Sequence, residues 1–155
     1  MRVNDLVEGR VLLAILVACS ITIAHAQEKK FGMGIIIGEP TGVSGKMWTS
    51  SDNALDAGLA YSFRRKGYVH IHADYLWHFP NAFQNSESLV PYAGLGGRLA
   101  TGRGEGIFGA RFVGGLAWYP RNAPFELFVE FVPILDLAPA TEMSGNAGVG
   151  VRFIF

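Results

Sequence analysis

The stretch Tyr68-Val69-His70-Ile71-His72-Ala73-Asp74-Tyr75-Leu76-Trp77-His78-Phe79 decides the fold. Its odd-numbered positions are Val69, Ile71, Ala73, Tyr75, Trp77 and Phe79, all apolar. Its even-numbered positions after Tyr68 are His70, His72, Asp74, Leu76 and His78, mostly polar. Side chains of a β-strand alternate between two faces, so this segment predicts a strand that is greasy on one side and charged on the other.

The same alternation returns elsewhere. Leu55, Ala57, Leu59, Tyr61 and Phe63 alternate with Asp56, Gly58, Ala60 and Ser62. Leu127, Val129, Phe131, Leu135 and Leu137 share one face of their segment, against Glu126, Glu130 and Asp136. Near the end, Ala147, Val149, Val151, Phe153 and Phe155 stand against Asn146, Gly148, Gly150 and Arg152. Eight such segments follow one another: Phe31–Gly38, Thr41–Trp48, Ala54–Phe63, Tyr68–Phe79, Leu89–Ala100, Ile107–Tyr119, Phe125–Leu137 and Gly145–Phe155. Gly, Pro, Asn, Asp and Ser fill the breaks between them, as turns require. Many short strands at even spacing predict a barrel or a sandwich.

The size of the side chains says which face is outside. An eight-stranded barrel has interior room only for modest side chains or one small ligand. Here the apolar face carries the large aromatics, and the polar face is rich in Gly, Ala and Ser. The aromatics therefore belong outside, in lipid, and the expected fold is an all-β, eight-stranded, antiparallel, up-and-down transmembrane β-barrel. With the N-terminus on the periplasmic side, Phe31, Trp48, Trp77, Phe79, Trp118, Tyr119, Phe125, Phe153 and Phe155 collect near one rim. Tyr61, Phe63, Tyr68 and Phe108 collect near the other, giving the two aromatic belts that bilayer interfaces favour. The longest break, Pro80–Ser88, falls on the periplasmic side, where turns are usually short.

Residues 1–26 read as a secretory signal. Arg2 and Arg10 precede the apolar run Val11–Ala18, and Ala24-His25-Ala26 has the small-x-small cleavage pattern. The barrel domain is then 27–155. Leu16-Val17-Ala18-Cys19 offers a lipoprotein box as the rival reading, with Cys19 lipidated. Cleavage after Ala26 removes Cys19, the single cysteine, and with it any thiol chemistry. The 13 basic and 13 acidic residues cancel, so nothing points to nucleic acid.

The closing segment Gly148-Val149-Gly150-Val151-Arg152-Phe153-Ile154-Phe155 resembles the C-terminal signal of bacterial outer-membrane proteins. The resemblance implies that Val151, Phe153 and Phe155 are read by the barrel-assembly machinery. The layout looks like the small OmpA/OmpX-type barrels. Gly38-Glu39-Pro40-Thr41-Gly42-Val43-Ser44-Gly45-Lys46, with Asp74-Tyr75-Leu76-Trp77-His78, also resembles a family of uncharacterised bacterial outer-membrane barrel proteins, which brings no activity with it.

Period two sends Lys46, Asp56, His70, His72, Asp74, His78, Arg98, Arg111, Glu126, Glu130, Asp136 and Arg152 into the lumen. Charges there have to be paired, because an isolated one costs several kcal/mol. Hairpin register around Ser51 sets Lys46 opposite Asp56. Register around Thr141 sets Glu130 opposite Arg152 and Asp136 opposite Asn146. His70-x-His72-x-Asp74 has metal-ligand chemistry, but residues two apart on a strand are ~7 Å apart. A lumen hydrogen-bond network is therefore the expectation, with no metal and no cofactor.

The expected role is a structural barrel of the bacterial outer membrane with a polar, plugged lumen, contributing to envelope integrity. It would be a monomer meeting outer-membrane lipids and lipopolysaccharide, with Arg64, Arg65, Lys66 and Arg103 on short outward loops. Two other readings stay open. One is a barrel that binds or passes a small apolar ligand, through a lateral gap near Pro91 or Pro133. The other is a lipid A-modifying enzyme, which needs a His–Ser pair; the strand serines Ser44 and Ser62 are both placed inside.

Overall fold

The computed structural model describes residues 31–62, 68–83, 88–102 and 105–155. The expected signal segment, Cys19, Phe63, Arg64, Arg65, Lys66 and Arg103 lie outside the described residues. Eight strands run in order: β1 (Phe31–Glu39), β2 (Thr41–Trp48), β3 (Asn53–Ser62), β4 (Tyr68–His78), β5 (Leu89–Gly102), β6 (Glu105–Trp118), β7 (Phe125–Ala138) and β8 (Glu142–Ile154). Each pairs antiparallel with its neighbour in sequence, and β8 closes on β1. The described residues form an all-β, closed, up-and-down barrel, as the alternation predicts.

Following the register from Gly32 through Lys46, Asp56, Asp74, Gly96, Arg111 and Ile134 arrives at Ser144 on β8. The β8 residue that pairs with Gly32 is instead Ile154. One circuit is thus displaced by ten residues. For eight strands ~4.8 Å apart rising ~3.3 Å per residue, that shear tilts them about 40° from the axis, the usual slope of such barrels. Phe31 and Phe155 lie at one end, where the Phe155 N–H donates to the Phe31 carbonyl. At the other end the barrel is uneven, because β1 and β2 have 9 and 8 residues while β7 and β8 have 14 and 13.

Polarity is inverted relative to a water-soluble barrel. Phe131 on β7 is 64% exposed, while Lys46 and Arg152 are each 1% exposed. Ile35, Leu59, Ile71, Leu99, Phe112 and Val149 are exposed in the same way on their own strands. No aqueous fold leaves that much apolar surface uncovered. In a bilayer the arrangement is the stable one, since closing the wall leaves no open sheet edge and the apolar face meets acyl chains.

Two expectations need correcting. The β7–β8 register is displaced by four residues from the one expected around Thr141. Glu142 stands opposite Asp136, Asn146 opposite Val132, Gly148 opposite Glu130, and Arg152 opposite Glu126. The turn is tighter than its composition suggested, and β8 starts at Glu142 rather than Gly145. An even displacement leaves every side chain on its expected face. The second correction concerns the belts. Trp48, Tyr119 and Tyr68 lie at the rims, but not on the lipid side. Trp48 shares its parity with Lys46, and Tyr119 reaches the same ammonium. Tyr68 lines the far mouth with Ile107 and Asp136.

Candidate functional site

The barrel interior is the site. All twelve residues assigned to the lumen by alternation are buried, and Ser44 is buried with them. They are held by three sets of bonds, stacked along the axis.

Near the termini, two cations share a group of carboxylates. Lys46 donates from Nζ to Glu126 Oε1 at 2.6 Å and to the Tyr119 hydroxyl at 3.2 Å. Arg152 donates from Nη1 to the same Glu126 oxygen at 3.2 Å, from Nε and Nη2 to Ser44 Oγ at 3.0 and 2.8 Å, and from Nη2 to Asp56. Glu130 lies 4.0 Å from Arg152 and accepts from the Tyr92 hydroxyl at 2.8 Å. Aromatic rings surround both cations. The Lys46 ammonium is 4.6 Å from the Trp48 ring centre and 5.3 Å from that of Tyr92, and the Arg152 guanidinium lies 3.8 Å above the Phe128 ring. Cation–π attraction strengthens as water is removed.

Mid-barrel, Arg111 Nε donates to both oxygens of Asp74, at 2.9 and 3.0 Å. At the far end, Arg98 grips Asp136 through Nε at 2.9 Å and Nη2 at 2.5 Å, and Ser144 bonds both partners. Lys46 does stand opposite Asp56 in register. The expected ion pair of Lys46 with Asp56 is nonetheless replaced by Lys46–Glu126, while Arg152 keeps Glu130 at 4.0 Å and holds Asp56 and Glu126 closer. Long cationic side chains cross the lumen, so Lys46 on β2 reaches Glu126 on β7 and Arg152 on β8 reaches Asp56 on β3, while Arg152 also bonds its ladder partner Glu126.

The histidines take separate partners. His70 Nε2 is 3.5 Å from Arg111 Nη1, and the His70 and His72 rings meet edge to face at 5.3 Å. His78 lies between Trp48 and Tyr92, with Nδ1 3.3 Å from the Asp52 carbonyl. Among the described residues no three His, Cys, Asp or Glu side chains converge to hold a metal ion. His72 Nδ1, His78 Nε2 and Asn146 Nδ2 have no hydrogen-bond partner among the described residues. His72 and Asn146 line one cavity of about 20 Å³ beside Arg111 and Glu130, which has room for a bridging water. Ser44 is engaged by Arg152 and Asp56, and Ser62 donates to Glu39.

Alternation alone understates the apolar share of the lumen. Leu76, Tyr92, Val113, Ala117, Phe128, Val132 and Ile134 form one buried cluster there. The β6–β7 ladder omits the pairing of Phe112 and Val113 with Val132 and Pro133, because proline has no N–H to give. Val113 and Val132 of that cluster fill the space behind the break. Glycines make room for the large groups. A Cβ on Gly115 would sit 2.3 Å from the Tyr92 ring, on Gly150 2.2 Å from Phe128, on Gly58 2.5 Å from His72, and on Gly94 2.5 Å from Leu76. Each of these glycines stands opposite its large neighbour in the ladder. The small residues on the polar face are the complement of the large ones beside them.

A closed eight-stranded wall, apolar outside and charged inside, has the fold of a transmembrane β-barrel. Solved structures share it at low sequence identity. The N-terminal β-barrel domain of Pseudomonas aeruginosa OprF is similar at TM-score 0.66 and 17% identity, over 83% of this chain and 98% of that one. Neisserial surface protein A (NspA) is similar at TM-score 0.55 and 13% identity, and a de novo designed transmembrane β-barrel at 0.58 and 14%, with the same coverages. No family model and no curated protein matches the sequence.

Proposed function

We propose that this protein is a monomeric structural barrel of the bacterial outer membrane, with a lumen closed to solutes, whose role is to brace the envelope rather than to catalyse a reaction. The observation that carries this reading is the position of Arg152. From β8 it bonds Ser44 on β2, Asp56 on β3 and Glu126 on β7. Links of that kind tie distant strands together across the space a solute would need. Lys46, boxed by Trp48, Tyr92 and Tyr119, blocks the same end. Removing one member leaves buried charge uncompensated, so the cluster holds its geometry tightly.

The remaining parts of the reading follow from the sequence. Residues 1–26 direct export, Val151, Phe153 and Phe155 present the barrel to its assembly machinery, and the wall meets outer-membrane phospholipid and lipopolysaccharide. The test is reconstitution of the mature chain into planar bilayers, alongside fractionation of cells. The reading expects the protein in the outer membrane, with gel migration that changes on heating and no stepwise conductance. Steady channels, or recovery from the soluble periplasm, would overturn it.

A further inference from the structure

We propose that the outer wall carries a binding groove for one phospholipid acyl chain in the leaflet on the side of the termini, a site that rests on the outer-membrane reading above. An apolar groove of about 530 Å³ crosses the wall from Ile35 and Ile37 on β1, over Val149 and Val151 on β8, to Leu127 on β7 and Trp118 on β6. Its size falls within the range of ligand pockets, roughly 300–1,000 Å³.

Its origin lies in the sequence of β8. Between the larger outward residues Met143 and Phe153, the outward positions Gly145, Ala147, Val149 and Val151 are all small or β-branched. They run between the isoleucines of β1 and the larger side chains of β7, with Ile35 opposite Val151 and Val129 opposite Val149. Gly150, whose inner side is filled by the Phe128 ring, gives bare backbone to the groove floor. The wall there is a trough rather than a smooth convex surface. A flexible chain fills a trough better than the average lipid shell, because it makes contacts on three sides.

A charge just beyond the rim residue Trp118 in the chain suits one class of occupant. Trp118, at the rim, is the last residue of β6. Arg121 follows in the β6–β7 turn and is exposed. A guanidinium one turn beyond an aromatic rim residue is placed for a lipid phosphate, with the acyl chain running up the groove from it. The groove lining itself carries no charged side chain.

The experiment is native mass spectrometry of the full mature barrel released from membranes in mild detergent. The wild type is expected to retain a single phospholipid. Val149→Trp, which fills the trough, is expected to lose it. Ile71→Trp, on the opposite wall, is expected to keep it. Arg121→Glu should lower occupancy about tenfold through loss of a charge-assisted bond. Heat-modifiable migration and outer-membrane fractionation of every variant show separately that each has folded and where it resides. A wild type without retained lipid, or equal retention by Val149→Trp and Ile71→Trp, overturns the groove while leaving the outer-membrane reading standing. Failure of the fractionation overturns the outer-membrane reading itself.

Discussion

The two ends of the lumen solve the problem of buried charge in different ways. At the terminal end, Lys46 and Arg152 share Glu126, while Asp56 and Ser44 complete the group and aromatic rings cover both cations. At the far end, among the described residues, Arg98 holds Asp136, with Ser144 as an added hydroxyl. The first is a cluster in which each charge has several partners and water has little room. The second is a pair near a mouth, where solvent can take over from a lost partner. The difference teaches that the terminal end is the more densely bonded and the far end the more loosely held.

The largest effect should come from the terminal cluster. Arg152→Ala leaves Asp56 and Glu126 buried beside a missing cation, and it should destabilise the barrel by about 3–5 kcal/mol in urea titrations of protein folded into thin liposomes. Arg98→Ala should cost less, roughly 1–3 kcal/mol in the same titration, because Ser144 and water at the mouth still reach Asp136. Equal losses from the two variants would erase the distinction between the ends. Packing around the terminal cluster sharpens it further. Gly115→Ala drives a methyl into the Tyr92 ring and should cost about 1–3 kcal/mol. Gly114→Ala, whose new methyl would meet nothing nearer than the Phe131 carbonyl at 3.8 Å, should stay within ~0.5 kcal/mol of wild type.

Most of the wall is legible in the sequence because a period of two is a local property. Val69 to His78 reveals its two faces without reference to any other strand, and the Gly-rich polar face reveals which side is crowded. Register is less legible. The Thr49–Asn53 break pins Lys46 opposite Asp56, but residues 138–144 accommodate turns of different lengths at the same parity, and the tighter one forms. The ion pairs are the least legible part. Arg152 finds Asp56, 96 residues away in the chain, only because a shear of ten brings β8 and β3 to matching heights on a narrow barrel. Trp48 is a different case. Its parity with Lys46 was visible, and the attraction of an aromatic belt concealed it.

The central claim is the inverted wall, and an accessibility scan along β7 tests it most directly. Spin labels placed one at a time from Leu127 to Leu135, in a chain with Cys19 replaced by Ser, report collisions with oxygen dissolved in lipid and with a water-soluble nickel chelate. The inverted wall predicts a period of two, with oxygen collisions high at Leu127, Val129 and Phe131 and low at Phe128, Glu130 and Val132. High oxygen collisions at Glu130 with Phe131 shielded would mean that the apolar face is the core, and would contradict the account.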